Sequence, residues 1–145
     1  MYPVIHYRLL MSGNGYLKMP RPDQLGRRQA VKYPDWTFLS NYAHVLVCLA
    51  ENPEARLRDV AERVGITERS AQRLITHLDA AGILTRVRHG RRNSYYIDTN
   101  AHLRHPIEES CTVGELLKLV LSPARVRKLE ANKEAFDEQH DGKQI

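Results

Sequence analysis

The chain has 145 residues, 42% of them apolar, with a formal charge of +5 and a pI near 9.4, enough for about one domain with a small core. Its two cysteines, Cys48 and Cys111, exclude a disulfide framework, and no apolar run approaches a membrane span or the core of a leader peptide. A reducing, cytoplasmic setting is the expectation. The charge is unevenly placed: residues 56–97 carry nine Lys/Arg against four Asp/Glu, whereas residues 98–145 carry seven against nine. A basic segment inside a nearly balanced chain is the pattern of a surface that meets a polyanion.

Residues 1–34 contain Pro3, Gly13, Gly15, Pro20, Pro22 and Pro34 and show no sustained period, so an unstructured arm is expected there. Arg21, Arg27, Arg28 and Lys32 suit an arm that touches DNA. The alternatives are a plain solvated tail, or upstream sequence if translation starts at Met11 or Met19. Trp36 and Phe38 are expected to cover an edge of the core. From an N-cap at Ser40, the spacing of Val45, Leu46, Cys48 and Leu49 predicts a helix over 41–51, ended by Pro53. Cys48 within that stripe reads as a small hydrophobe. Residues 55–57 suit a short strand.

A second helix is predicted from about Arg58 to Val64, burying Val60, Ala61 and Val64, and Gly65 supplies the left-handed backbone for a sharp turn into Ile66 and Thr67. In the third helix, residues 68–81, Ala71, Leu74, Ile75 and Leu78 fall at i, i+3, i+4 and i+7 and share one face. The other face shows Arg69, Gln72, Arg73 and Thr76. Thr67 offers an N-cap hydroxyl, Glu68 a carboxylate in the first turn, and Gly82 a stop. The period then changes to that of strands: Ile83–Arg88 and Ser94–Ile97 flank a tip of His89, Gly90, Arg91, Arg92 and Asn93. With Arg91 and Arg92 at its tip and Arg86 and Arg88 on its first strand, this hairpin is too charged for a core. It suits a backbone of phosphates.

The motif A-x-x-V-G-I-T-x-x-S-x-x-R-L-I-x-x-L-x-x-A-G-I-L, followed by the basic hairpin G-R-R-x-x-x-Y, resembles the winged helix-turn-helix regulators of the ArsR and MarR types. W-T-F-L-S-N at 36–41, L-R-H-P at 103–106 and T-V-G-E-L-L at 112–117 extend the resemblance to roughly residues 36–121. It implies a mainly α fold with a small β-hairpin, of the α+β class. The winged helix-turn-helix domain would occupy 35–121, between the arm at 1–34 and a C-terminal helix at 122–145. The function implied is that of a transcriptional regulator binding double-stranded DNA sequence-specifically, with helix 68–81 in the major groove and wing 84–97 on the backbone or minor groove. The candidate DNA-binding residues are Thr67, Arg69, Ser70, Gln72, Arg73 and Thr76 on the helix and Arg88, Arg91, Arg92 and Asn93 on the wing. Among these the resemblance marks Ser70, Gln72 and Arg73 as readers. The alternative is a winged-helix protein-interaction module without sequence-specific DNA binding, whose wing arginines would meet an acidic partner.

Beyond the wing, the spacing of His102, His105 and Cys111 matches no strong ligand pattern, and neither metal nor cofactor is expected. Thr112 and Glu115 form a capping box for a helix through Leu116, Leu117, Leu119, Val120 and Leu121, so apolar that it needs cover on more than one side. Ser122-Pro123 opens a last helix to about Gln139, carrying Val126, Leu129 and Phe136, before residues 141–145 fray. A homodimer contact through residues 113–139 is expected, the alternative being a helix packed on its own wing domain. The absence of a phosphate-cradling glycine loop, a metalloprotease motif and a nucleophile elbow argues against an enzyme. The effector, if there is one, is left open.

Overall fold

Three helices, a two-stranded antiparallel hairpin and two further helices follow one another in the computed structural model, which describes residues 33–141. The expected arm up to residue 32, with Arg21, Arg27, Arg28 and Lys32, lies outside the described residues, as do residues 142–145. The helices are α1 (Asn41–Glu51), α2 (Leu57–Val64), α3 (Glu68–Ala80), α4 (Val113–Val120) and α5 (Pro123–Asp141), and the strands are β1 (Leu84–His89) and β2 (Arg92–Ile97). All belong to the unit that begins at Asp35. The α+β class read from the sequence is the class of the fold.

The apolar stripes of α1, α2 and α3 meet in one core: Val45 and Leu49 from α1, Val60 from α2 and Ile75 from α3 are all essentially inaccessible to solvent. Each such burial stabilises by about 1.5–3 kcal/mol. Leu84, Tyr95 and Ile97 close the core from the hairpin, and Val113, Leu117, Leu121 and Leu129 close it from α4 and α5. Ser40 has the extended backbone of an N-cap, yet its hydroxyl makes no capping bond and only its carbonyl receives the His44 N–H.

Both stops of the helix-turn-helix are glycines with positive φ. Gly65 (φ 82°) ends α2 as the Ile66 N–H reaches back to the Ala61 carbonyl at 3.0 Å. Gly82 (φ 72°) ends α3 with the paired bonds of a Schellman motif, Ile83 N–H to Leu78 C=O and Gly82 N–H to Asp79 C=O. The two residues that this motif brings together, Leu78 and Ile83, are both buried.

Several expectations are corrected. No strand forms at 55–57: Leu57 opens α2, and the neighbouring loop meets the hairpin through one bond, Tyr95 N–H to Pro53 C=O at 2.9 Å. Trp36 and Phe38 leave the core uncovered; they pack edge-to-face on each other, 5.1 Å apart, and are 70% and 94% exposed. The hairpin tip is two residues long rather than five, because His89 and Arg92 already pair and only Gly90 and Arg91 turn the chain. Positive φ at Gly90 (60°) with none at Arg91 is the pattern of a type II′ turn, which matches the twist of the strands.

The capping box of α4 is complete, with Glu115 N–H donating to the Thr112 hydroxyl and the Glu115 carboxylate accepting from the Thr112 N–H at 2.7 Å. The cover expected around α4 is partial: Val113 and Leu117 are buried, but Leu119 is 83% exposed. α5 turns back onto its own domain. Leu129 enters the core, Arg125 donates to the Glu51 carbonyl, Lys133 pairs with Asp98 at 2.9 Å, and Phe136 stacks on Tyr96.

Candidate nucleic-acid interface

The exposed face of α3 is a shallow groove lined by Arg69, Ser70, Gln72, Arg73, Thr76 and His77. It exists because Ala71, Leu74, Ile75 and Leu78 pin the opposite face in the core. Thirteen residues at 1.5 Å each make a rod of about 20 Å.

The polar side chains of this face are partly tied down by one another. Thr67 caps α3: its hydroxyl accepts the Ser70 N–H at 3.1 Å and donates to the Ser70 hydroxyl oxygen at 2.9 Å. Both roles of the Thr67 hydroxyl are thus spent on the cap, while the Ser70 hydroxyl keeps its own proton to give. Thr76 donates to the Gln72 carbonyl at 2.9 Å, and the Gln72 amide reaches the Thr76 hydroxyl at 3.3 Å. Arg69 and Arg73 are exposed and form no ion pair among the described residues. Arg63, on α2, is bound instead to Glu51, whose carboxylate holds the guanidinium above its ordinary pKa.

On the hairpin, the register sorts the arginines by face. Leu84, Arg86 and Arg88 alternate with Thr85, Val87 and His89 along β1, and lie opposite Ile97, Tyr95 and Asn93. Arg86, Arg88 and Asn93 therefore share the face whose base, Leu84, Tyr95 and Ile97, is buried against the helical core. Arg92 pairs with His89 on the reverse face, and Arg91 sits in the turn. Arg88 also braces the tip, its Nε donating to the Gly90 carbonyl at 3.1 Å. The four wing candidates are thus split three ways, and Arg86, on the face of Arg88, joins them as a residue the candidate set lacked. Alternation counted back from Tyr95 would have found it.

A second addition is His77. Its Nδ1 is hydrogen-bonded to the Tyr42 hydroxyl at 2.8 Å, with the two rings 6.2 Å apart, so α1 grips α3 beside the groove. These partners are 35 residues apart in sequence, and no local pattern announces such a pair.

Residues 39–88 match the IclR helix-turn-helix domain. They carry a helix-turn-helix of the kind found in DNA-binding transcription regulators, a regulatory domain and not a catalytic one. The match runs from just before α1 to Arg88 within β1, so the three helices are covered and β2 is not. It lends no support to the ArsR and MarR types that the sequence resembled. No curated protein and no solved structure matches the chain.

Other candidate chemistry is occupied locally. His102 Nδ1–H donates to the Glu109 carbonyl at 2.8 Å, and His105 Nδ1 accepts the Ile107 N–H. No group of three His, Cys, Asp or Glu among the described residues is placed to hold a metal ion. Cys48 is buried, which pushes its thiol pKa up, and Cys111 is exposed. No helix among the described residues is long and apolar enough to cross a membrane.

Proposed function

We propose that this chain is a cytoplasmic transcription regulator that reads double-stranded DNA sequence-specifically, with α3 in the major groove and the hairpin as a wing on the backbone or minor groove. The observation that carries this reading is the exposed α3 face, on which Arg69 and Arg73 stand without ion-pair partners among the described residues, beside Gln72 and Thr76. Arg73 and Gln72 suit guanine and adenine respectively. Thr76, its hydroxyl engaged with the helix carbonyl, has its methyl group to set against thymine. Ser70, whose hydroxyl keeps its own proton to give, reads beside them; Arg69, Arg86, Arg88, Arg91, Arg92 and Asn93 supply backbone contacts, and Thr67 acts through the cap that fixes Ser70.

Two copies would act together, as paired half-sites require. The inner face of α5 is used within its own domain, so the contact falls on the outer side of α4, where Leu119 and Val120 are exposed. Leu119→Glu should then yield a folded monomer by sedimentation, whereas a substitution at buried Leu117 would unfold the domain.

The test is fluorescence anisotropy with duplex DNA from upstream of the gene against a scrambled duplex. Arg73→Ala should cost about 1–3 kcal/mol on the specific duplex and narrow its advantage. No binding to any duplex at low salt would overturn the reading in favour of a protein-interaction module.

A further inference from the structure

Arg69, Arg73 and His77 stand four residues apart on α3 and line the same groove, so they form one row that climbs the helix in steps of about 6 Å. The first two members are fixed cations. The third is a histidine, whose ring gains or loses its charge near neutral pH. We propose that His77 is a further contact to the DNA backbone, its Nε2–H donated to a phosphate and its tautomer chosen by Tyr42. His77 takes this role only if α3 is the helix that enters the major groove, so the assignment rests on the DNA reading.

The ring is exposed, and one of its nitrogens is committed: Nδ1 and the Tyr42 hydroxyl share a bond of 2.8 Å, with the two ring planes 24° apart. Nε2 makes no hydrogen bond or ion pair among the described residues. In the neutral ring that accepts the Tyr42 O–H at Nδ1, the single proton sits on Nε2. In the imidazolium both nitrogens carry protons, and the Tyr42 hydroxyl turns to accept from Nδ1. A hydroxyl can do either, so Nε2 offers a proton in both states.

The charged and titratable groups that line a pocket with His77 are Arg69 and Arg73 of its own helix, Tyr42 of α1, and Arg104, His105 and Glu108 of the segment before α4. Three arginines against one carboxylate favour an anion, and an anion held there favours the charged imidazole. Binding of a phosphate at Nε2 therefore takes up a proton, and affinity rises as pH falls.

The experiment is fluorescence anisotropy of the full chain on the duplex from upstream of the gene and on a scrambled duplex, at about pH 8 and about pH 5.5. The wild type should bind both duplexes roughly three- to tenfold more tightly at the lower pH. His77→Gln, which keeps an N–H donor and never charges, should hold its affinity at the higher pH and lose most of the gain. His77→Leu should weaken both duplexes alike, by about threefold at the higher pH and more at the lower. Tyr42→Phe should cost affinity at the higher pH, where the tautomer decides, and little at the lower, where both nitrogens carry protons. A hydroxyl that only tied α1 to α3 would be missed equally at both, and that result would overturn the role of Tyr42. Wild-type affinity in His77→Leu, a loss confined to the upstream duplex, or an undiminished gain in His77→Gln would overturn the phosphate contact. If Arg73→Ala weakens binding and the His77 variants do not, the contact fails and the DNA reading stands; no binding of the wild type to either duplex would end both.

Discussion

Phe136 of α5 lies stacked on Tyr96 of β2, with ring centroids 4.1 Å apart and planes inclined by 21°. His140 adds a third ring at 4.0 Å from Phe136, and the Lys133–Asp98 pair fastens the same helix just beyond the end of the strand. The last helix is therefore a brace for the wing. Phe136→Ala should lower the unfolding free energy by about 1–2 kcal/mol and weaken the near-ultraviolet dichroism of the tyrosines. A variant with unchanged urea midpoint would show that the stack contributes nothing.

The facial sorting of the wing arginines makes a second prediction. If the face shared by Arg86, Arg88 and Asn93 is the one that meets phosphate, Arg86→Ala and Arg88→Ala should each flatten the dependence of log K on log salt by about 0.9. Arg92→Ala, on the reverse face, should flatten it less. Salt titrations of duplex binding distinguish the cases, and an equal effect of Arg92→Ala would mean that both faces of the tip are in contact.

Gly114, in the first turn of α4, is buried against Thr99: a Cβ built there would lie 2.9 Å from the Thr99 carbonyl oxygen and 3.1 Å from its Cβ. That oxygen also receives the Gly114 N–H at 2.9 Å and is held by the backbone. Helix propensity favours Gly114→Ala by about 1 kcal/mol, but overpacking against backbone costs about 1–3 kcal/mol. A net loss of up to about 2 kcal/mol is expected in urea unfolding, and a stabilised variant would contradict the tight contact.

The α4 capping box carries a pH signature. The Thr112 N–H and then its hydroxyl hold the Glu115 carboxylate below its ordinary pKa. At Asp98, partial burial pushes the carboxyl up, but bonds from Lys133 and from the Asn100 and Ala101 N–H groups outweigh it and leave the group lowered. A carboxylate whose pKa is lower folded than unfolded stabilises fully above the unfolded value, near pH 4, and loses that contribution as pH falls through the folded value. The wild type should therefore exceed Glu115→Gln in stability at neutral pH, with the gap closing below about pH 4. Thermal unfolding at several pH values measures this; a gap independent of pH would contradict it.

The sequence disclosed the parts of this fold that local chemistry dictates. Gly65 and Gly82 announced the two helix stops because only an L-residue's strain, or a glycine's lack of it, decides such a turn. Thr112 and Glu115 announced the start of α4 because both capping bonds lie within four residues. The shape of the wing tip was less legible. Arg92 and Asn93 look like loop residues by polarity, yet the glycine at the first turn position lets the strands pair right up to His89 and Arg92. What depends on distant partners was hidden: the Tyr42–His77 grip, the seat of Phe136 on Tyr96, and the exposure of Trp36 and Phe38. For the interface, helical period was enough to assemble the α3 face, whereas the division of the wing arginines needed the strand register.

The hairpin has two strands and hence two edges. Along β2, Tyr95 is engaged by Pro53, and α5 lies over Tyr96. β1 has no strand beyond it among the described residues, and it carries Arg86 and Arg88 within six positions. An open strand edge invites a second copy to add itself, and closely spaced charges discourage this. The same two side chains thus work against edge-to-edge pairing of copies, and replacing both with apolar residues should lower solubility together with any hold on phosphate.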